Sequence, residues 1–96
     1  MNKNHNITIE NRNIGSNYAP VVIAEIGINH NGNLETAKTM VKKAIDSGAD
    51  IIKHQTHIVE DEMTDEAKKV IPPNDPRSIW QIMKDTSLSL EDETEL

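Results

Sequence analysis

The sequence predicts an α/β fold built on a parallel βαβ unit, and three stretches of the chain support this prediction. Residues 21–26, "VVIAEI", form a β-branched run typical of a strand buried on both faces. A helical pattern follows from Leu34 to Ser47, and "DIIKHQ" at residues 50–55 then indicates a second strand. Two strands joined by a helix pair in parallel through a right-handed crossover.

Both ends of the predicted helix carry boundary signals. Asn33 is a favoured N-cap residue, and Glu35 in the first turn complements the helix dipole. Gly48 is placed as the residue that ends the helix in a left-handed conformation. One apolar stripe at helical spacing is expected to face the sheet, formed by Leu34, Ala37, Val41, Ala44 and Ile45.

A short hairpin is predicted before the βαβ unit, where isoleucines flank the polar stretch "ENRN". We therefore assign residues 1–19 to a β-hairpin and connector, and residues 20–96 to the α/β part.

The segment after the second strand is predicted to be less regular. "VEDEMTDEAKKVIPPNDP" indicates a long loop with one helical turn at residues 65–70. A short helix is expected at residues 78–84. Ser89 and Asp92 resemble a capping box that opens a last helix running to Leu96.

Composition excludes several classes of function. The chain has 96 residues, a formal charge of −6 and 35% hydrophobic residues with almost no aromatics, so we expect a poor core in isolation. Residues 60–96 carry four basic and eleven acidic side chains, which argues against a nucleic-acid surface. The chain has no cysteine and no long apolar run. These features predict no membrane partner and a cytoplasmic location.

Three polar side chains are expected to meet at the carboxyl end of the two strands. Because side chains alternate along a strand, Glu25 shares a face with Ile23, and Lys53 shares one with Gln55. The carboxyl edge of a parallel sheet is where α/β folds bind ligands. Lys53 suits an anion, Gln55 can orient a hydroxyl or amide, and Glu25 can accept a hydrogen bond or move a proton. The alternative is that Glu25 and Lys53 form only a buried structural bridge.

The histidines do not indicate a metal site. His54 and His57 are three residues apart and would lie on opposite faces of a strand, so they form a poor ligand pair. We expect His54 to be a hydrogen-bonded structural residue on the helix side of the sheet, and His30 to lie in the turn after the first strand. No residue of the chain is assigned as a metal ligand.

Residues 23–72, beginning "IAEIGINHNG" and including "GADIIKHQTHIVEDEM", closely resemble the start of the bacterial sialic acid synthases, the N-acetylneuraminate synthase family. The pairing of "AEIGINHNG" with "GADIIKHQT" is highly specific. "KHQTHIVEDEM" looks most like the N-acetylneuraminate branch, although synthases for legionaminic or pseudaminic acid share the first motif.

The resemblance implies condensation of phosphoenolpyruvate with N-acetylmannosamine to give N-acetylneuraminate and phosphate. It implies a divalent metal, manganese or magnesium, bound by residues outside this chain, and a homodimer. It also implies that residues 20–96 are the first part of a TIM (β/α)8 barrel that is incomplete on its own, since a whole barrel takes about 250 residues. By motif, Glu25 meets the amino sugar, Lys53 binds phosphoenolpyruvate and Gln55 lies between the substrates.

Two readings from other classes stay open at this point. Beside the reading as a fragment of a longer synthase, the first is a truncated, non-catalytic remnant. A small acidic binding protein, in which Glu25 and Lys53 only pair with each other, is the further alternative.

Overall fold

The computed structural model describes residues 5–96 and has an α/β architecture with two small sheets. The strands are β1 (Ile7–Ile9), β2 (Arg12–Ile14), β3 (Ile23–Gly27) and β4 (Ile51–His54). The helices are α1 (Leu34–Asp46), α2 (Val59–Glu62), α3 (Ile79–Thr86) and α4 (Leu90–Glu95), with a 3₁₀ turn at Ala67–Lys69.

The hairpin at the start of the chain is confirmed. β1 pairs antiparallel with β2, and Ile7 lies opposite Ile14. Arg12 connects the hairpin to the second sheet, because its guanidinium lies 3.4 Å from the Asp50 carboxylate and donates to the Pro20 carbonyl at 3.2 Å. Asp50 in turn accepts a hydrogen bond from the Val22 amide at 2.9 Å, so this contact also orders the entrance to β3.

The parallel pairing expected of the βαβ unit is also confirmed. β3 and β4 are adjacent and parallel, with Ile23 opposite Ile51 and Glu25 opposite Lys53. The register shifts after Glu25, and Gly27 instead of Ile26 lies opposite His54. Gly27 has a φ of 52°, a conformation that favours glycine, so the strand turns away from the ladder at this residue.

Helix α1 packs against one face of this sheet. The Asn33 side chain accepts a hydrogen bond from the Thr36 amide at 2.9 Å, which confirms the predicted N-cap. The helix ends one residue before the predicted position, and Gly48 follows with a φ of 101°. Ala37 is completely buried, so α1 approaches the sheet closely at this residue.

The segment after β4 contains more helix than predicted. The long-loop prediction is wrong at residues 59–62, which form α2, whereas the expected helical turn is present as the 3₁₀ turn. The physical reason lies in Val59, which is only 4% exposed and anchors this otherwise acidic turn in the core. A run of acidic residues predicts a solvated loop. The sequence does not show that Val59 is buried, so the helix was not predicted.

The last two helices form where expected, with small changes at their ends. α3 begins one residue later than predicted and continues to Thr86, and the Ser78 hydroxyl accepts from the Gln81 amide at 3.2 Å. The Ser89 hydroxyl accepts from the Asp92 amide at 3.1 Å, which confirms this cap of α4.

The core is small. Among the described residues, only Ile26, Ala37, Val59 and Leu88 are buried apolar residues. The radius of gyration is 17.7 Å, whereas a compact domain of this length has roughly 12.5 Å. The chain is therefore more open than an independent domain, as its composition predicts. None of the helices described is long and apolar enough to cross a membrane.

Candidate functional site

Glu25 and Lys53 lie side by side at the carboxyl end of the parallel sheet. They are direct register partners on β3 and β4, and their side chains project to the same face. The Lys53 ammonium donates to Oε1 of Glu25 at 3.0 Å. The structure therefore brings together two of the three predicted site residues.

This ion pair is open to solvent. The side chain of Glu25 is 66% exposed and that of Lys53 is 53% exposed. An exposed pair of this kind contributes about 0–1 kcal/mol to stability. The buried-bridge alternative therefore does not describe this pair, and the fold gains little from it.

The pair keeps unused hydrogen-bonding capacity. An ammonium has three donors, and Glu25 occupies one of those on Lys53 within the described part of the chain. The second carboxylate oxygen of Glu25 is likewise without a hydrogen bond among these residues. An anion beside Lys53 and a hydroxyl beside Glu25 can therefore bind at the same time.

Gln55 lies just beyond the sheet. β4 ends at His54, so Gln55 is the first residue past the ladder, and it is exposed. Within residues 5–96, no hydrogen bond joins it to Glu25 or Lys53. Because β4 ends at His54, the placement of Gln55 on the face of Lys53 stays a prediction from the alternation of the sequence.

The opposite face of the sheet carries a cluster of polar groups that are more shielded from solvent than the Glu25–Lys53 pair. Nε2 of His54 donates to Oε2 of Glu93 on α4 at 2.6 Å, and the Thr56 hydroxyl donates to the same oxygen at 3.1 Å. The His30 ring lies 5.4 Å from the His54 ring, measured between centroids. His54 is therefore a hydrogen-bonded residue on the helix side, as expected.

His30 is the most deeply buried of these residues. It is 2% exposed, and its Nδ1 accepts a hydrogen bond from the Gly32 amide at 3.0 Å. Because Nδ1 accepts, the neutral ring carries its proton on Nε2. Burial, and next the neighbouring His54, lower the pKa of His30 below 6.5. His30 is therefore a neutral packing group.

No metal site forms in the part of the chain that the structure describes. In residues 5–96, no group of three or more histidine, aspartate or glutamate side chains is arranged to hold a metal ion. The residues present thus do not fit the divalent metal that the resemblance implies, and we derive no chemical step through a metal.

Glu93 is the contact that sequence reasoning missed. It lies 39 residues after His54, within an acidic stretch whose pattern indicates only a solvated helix face. Its side chain is only 12% exposed. Local sequence gives no signal for this pairing, because the pairing depends on how α4 packs.

Comparison with known proteins identifies the family. The family model described as the NeuB family matches residues 40–96, and the chain belongs to this family. The chain is 39% identical over 82 residues to the N,N'-diacetyllegionaminic acid synthase of Legionella pneumophila, covering 81% of this chain and 23% of that protein. It is 43% identical over 47 residues to human N-acetylneuraminate-9-phosphate synthase, covering 49% of this chain and 13% of that protein.

A solved structure has a similar fold. The spore coat polysaccharide biosynthesis protein SpsE of Bacillus subtilis superposes with a TM-score of 0.60 at 25% sequence identity, covering 95% of this chain and 23% of that chain. The chain thus spans less than a quarter of the length of each of these proteins.

Proposed function

We propose that this chain supplies part of the substrate site of a nonulosonic acid synthase, an enzyme that condenses phosphoenolpyruvate with an acetamido sugar and releases phosphate. The observation that carries the proposal is the exposed Glu25–Lys53 pair, which lies at the carboxyl end of β3 and β4 on the face of the sheet opposite His54. Membership of the NeuB family supports it. In this proposal, residues 20–96 are the first part of a TIM barrel.

Lys53 binds phosphoenolpyruvate in this proposal. A lysine ammonium is a compact positive charge with rotatable donors, which suits a phosphate or carboxylate. Because Glu25 engages one donor at 3.0 Å, the remaining donors stay available to the anion. Glu25 also holds the ammonium at the end of the strand, where the two substrates would meet.

Glu25 acts on the amino sugar. Its free carboxylate oxygen can accept a hydrogen bond from a sugar hydroxyl, or take part in a proton transfer. The 3.0 Å contact with Lys53 places the acid and the anion-binding group next to each other. Gln55, at the following turn of the chain, would orient a hydroxyl or amide between the substrates. A divalent metal, manganese or magnesium, would require ligands from outside the described residues.

N-acetylmannosamine is the amino sugar that we propose. The stretch "KHQTHIVEDEM" resembles the N-acetylneuraminate branch, and the product would then be N-acetylneuraminate. The second candidate is a legionaminic acid synthase, which the relative from Legionella pneumophila favours. A homodimer that works in the cytoplasm, with neither nucleic acid nor membrane as partner, completes the proposal.

The test uses the complete gene product that contains these residues. It is incubated with phosphoenolpyruvate and each candidate sugar, with Mn²⁺ or Mg²⁺ added, and phosphate release and the mass of the product are measured. Activity with N-acetylmannosamine supports the proposal, whereas activity only with the precursor sugar of legionaminic acid supports the second candidate. Absence of phosphate release with both sugars from a folded protein would contradict both.

Glu25→Gln then tests the role of the acid. The change keeps the shape and one acceptor but removes the charge, so we expect kcat to fall about 100-fold or more while the fold is kept. Glu35→Gln is the matched control, because Glu35 is an exposed acid on α1 with a weak ion pair to Lys38. Near-normal kcat in a folded Glu25→Gln enzyme would contradict a catalytic role for Glu25 and leave only its ion pair with Lys53.

A further inference from the structure

One oxygen of Glu93 holds two residues of the strand end. Oε2 lies 2.6 Å from Nε2 of His54 and accepts from the Thr56 hydroxyl at 3.1 Å. His54 and Thr56 are the two neighbours of Gln55 in the chain. Glu93 therefore tethers the backbone on both sides of a single proposed site residue.

This tether lies at the end of β4, beyond which strand pairing no longer holds the backbone. The last ladder partner on β4 is His54, so Gln55 and Thr56 lie beyond the strand pairing. The side chains of residues 54 and 56 both contact Glu93 on α4. If the extended pattern of β4 continues for two residues, the side chain of Gln55 is directed to the face of Lys53. In that arrangement, the contacts of residues 54 and 56 set the direction of the side chain between them.

The helix that carries Glu93 also contacts α1 and has a defined start. The Lys38 ammonium on α1 contacts Glu95 at 2.8 Å in an exposed ion pair, and the Ser89 side chain caps α4 at its first turn. His54 and Glu93 are 17% and 12% exposed, so their contact is shielded from solvent. A shielded hydrogen bond to a carboxylate is stronger and more directional than an exposed one.

We propose that Glu93 is a positioning residue, which holds His54 and Thr56 so that Gln55, between them, faces the substrates. The inference rests on the proposed function for the identity of those substrates. It differs from that function in assigning a role to the face of the sheet on which we place no substrate.

A double-mutant cycle on the complete gene product tests this role. Glu93→Ala should lower kcat/KM for the amino sugar about 10- to 100-fold, since a displacement of about 1 Å can cost about 100-fold. Gln55→Ala should also lower kcat/KM for the amino sugar. If Glu93 acts through Gln55, adding Glu93→Ala to Gln55→Ala should cost less than about twofold more, because coupled residues are not additive.

Glu91→Ala is the matched control, because Glu91 is an exposed acid on the same helix. It should leave kcat/KM unchanged. Glu93→Gln keeps the shape and an acceptor oxygen, so it should restore part of the activity lost in Glu93→Ala. This variant also keeps the test decisive if the alanine variant does not fold.

Hydrogen exchange separates this inference from the proposed function. The backbone amides of residues 54–56 should exchange faster in both Glu93 variants than in Glu91→Ala. If the gene product has no synthase activity but exchange at these amides rises, the proposed function fails and the tether stands. Unchanged exchange, or fully additive kinetic losses in the double-mutant cycle, would overturn the positioning role.

Discussion

The two faces of the β3–β4 sheet use polar side chains in opposite ways. On one face, Glu25 and Lys53 form a pair that is more than half exposed and that no helix of residues 5–96 covers. On the other, His54 and Glu93 form a pair that is less than a fifth exposed, between β4 and α4. In our two proposals, the exposed pair binds the substrates, and the shielded pair positions Gln55. The two roles would then lie on different sides of the same two strands.

The largest expected effect is on folding, and it concerns the face of the β3–β4 sheet that carries Glu25 and Lys53. Residues 1–96 produced alone should show no cooperative thermal transition, because within residues 5–96 the parallel sheet has only two strands and both of its outer edges lack strand partners. Ile23 is 53% exposed there, and the core holds few buried residues. Calorimetry and the spread of amide signals in NMR measure this directly. A sharp transition with wide dispersion would show that the covered face suffices for folding.

Lys53→Ala should change substrate binding on the exposed face. Loss of a charge-assisted contact costs about 1.5–3 kcal/mol, which is about tenfold to more than a hundredfold in kcat/KM. We expect the KM for phosphoenolpyruvate to rise more than that for the sugar in the complete gene product. Lys42→Ala is the control, since Lys42 also forms an exposed ion pair, with Asp46 at 2.8 Å. Equal changes in both KM values would argue against an anion site at Lys53.

Gly32→Ala should destabilise the covered side. Gly32 has a φ of 76°, and an added Cβ would lie 3.1 Å from the Asp85 carbonyl oxygen and 3.2 Å from that of Ser87. The strained conformation alone costs about 1–3 kcal/mol in the free energy of unfolding. Gly48→Ala is the control, because Gly48 has a φ of 101° but open space around it. Chemical denaturation of the complete gene product should show the greater loss of unfolding free energy for Gly32→Ala. Equal losses would mean that the close approach of the Asp85 and Ser87 carbonyls has no cost.

The smallest expected effect is a pH dependence of the free energy of unfolding, caused by the buried His30. Burial, followed by the nearby His54, lowers the pKa of His30 below 6.5. The unfolded chain therefore binds more protons than the folded one as the pH falls through 6.5, so the free energy of unfolding falls with it. This stability is present above pH 6.5 and is lost towards the folded pKa. Denaturation curves of the complete gene product between pH 7.5 and roughly 5 should show a shallower dependence of the unfolding free energy on pH for His30→Asn than for the parent protein. Identical slopes would contradict a lowered pKa.

Sequence periodicity predicted the elements that depend on local pattern. The strand pairing, the Asn33 cap and the Ser89 cap follow from alternation and capping chemistry, and they form as expected. The same alternation predicted that Glu25 and Lys53 share a face. It did not predict that their contact is exposed, because exposure depends on what covers the sheet.

Contacts between distant residues escaped sequence reasoning. Val59 anchors α2, and Glu93 binds His54, through packing that no local pattern encodes. Gly32 likewise meets the end of α3 more than fifty residues later in the chain. The first two contacts explain why α2 was missed and why Glu93 was not predicted as the partner of His54.

The span between His54 and Glu93 also has a consequence for synthesis on the ribosome. The two residues are 39 positions apart, and at about 5–20 residues per second the ribosome needs about 2–8 s to add that stretch. During this interval His54 and Thr56 have no carboxylate to hold them, and the nascent β4 presents an open edge. Unpaired edges invite association with other chains. The order in which the chain emerges thus leaves β4 exposed for seconds before its contact with Glu93 forms.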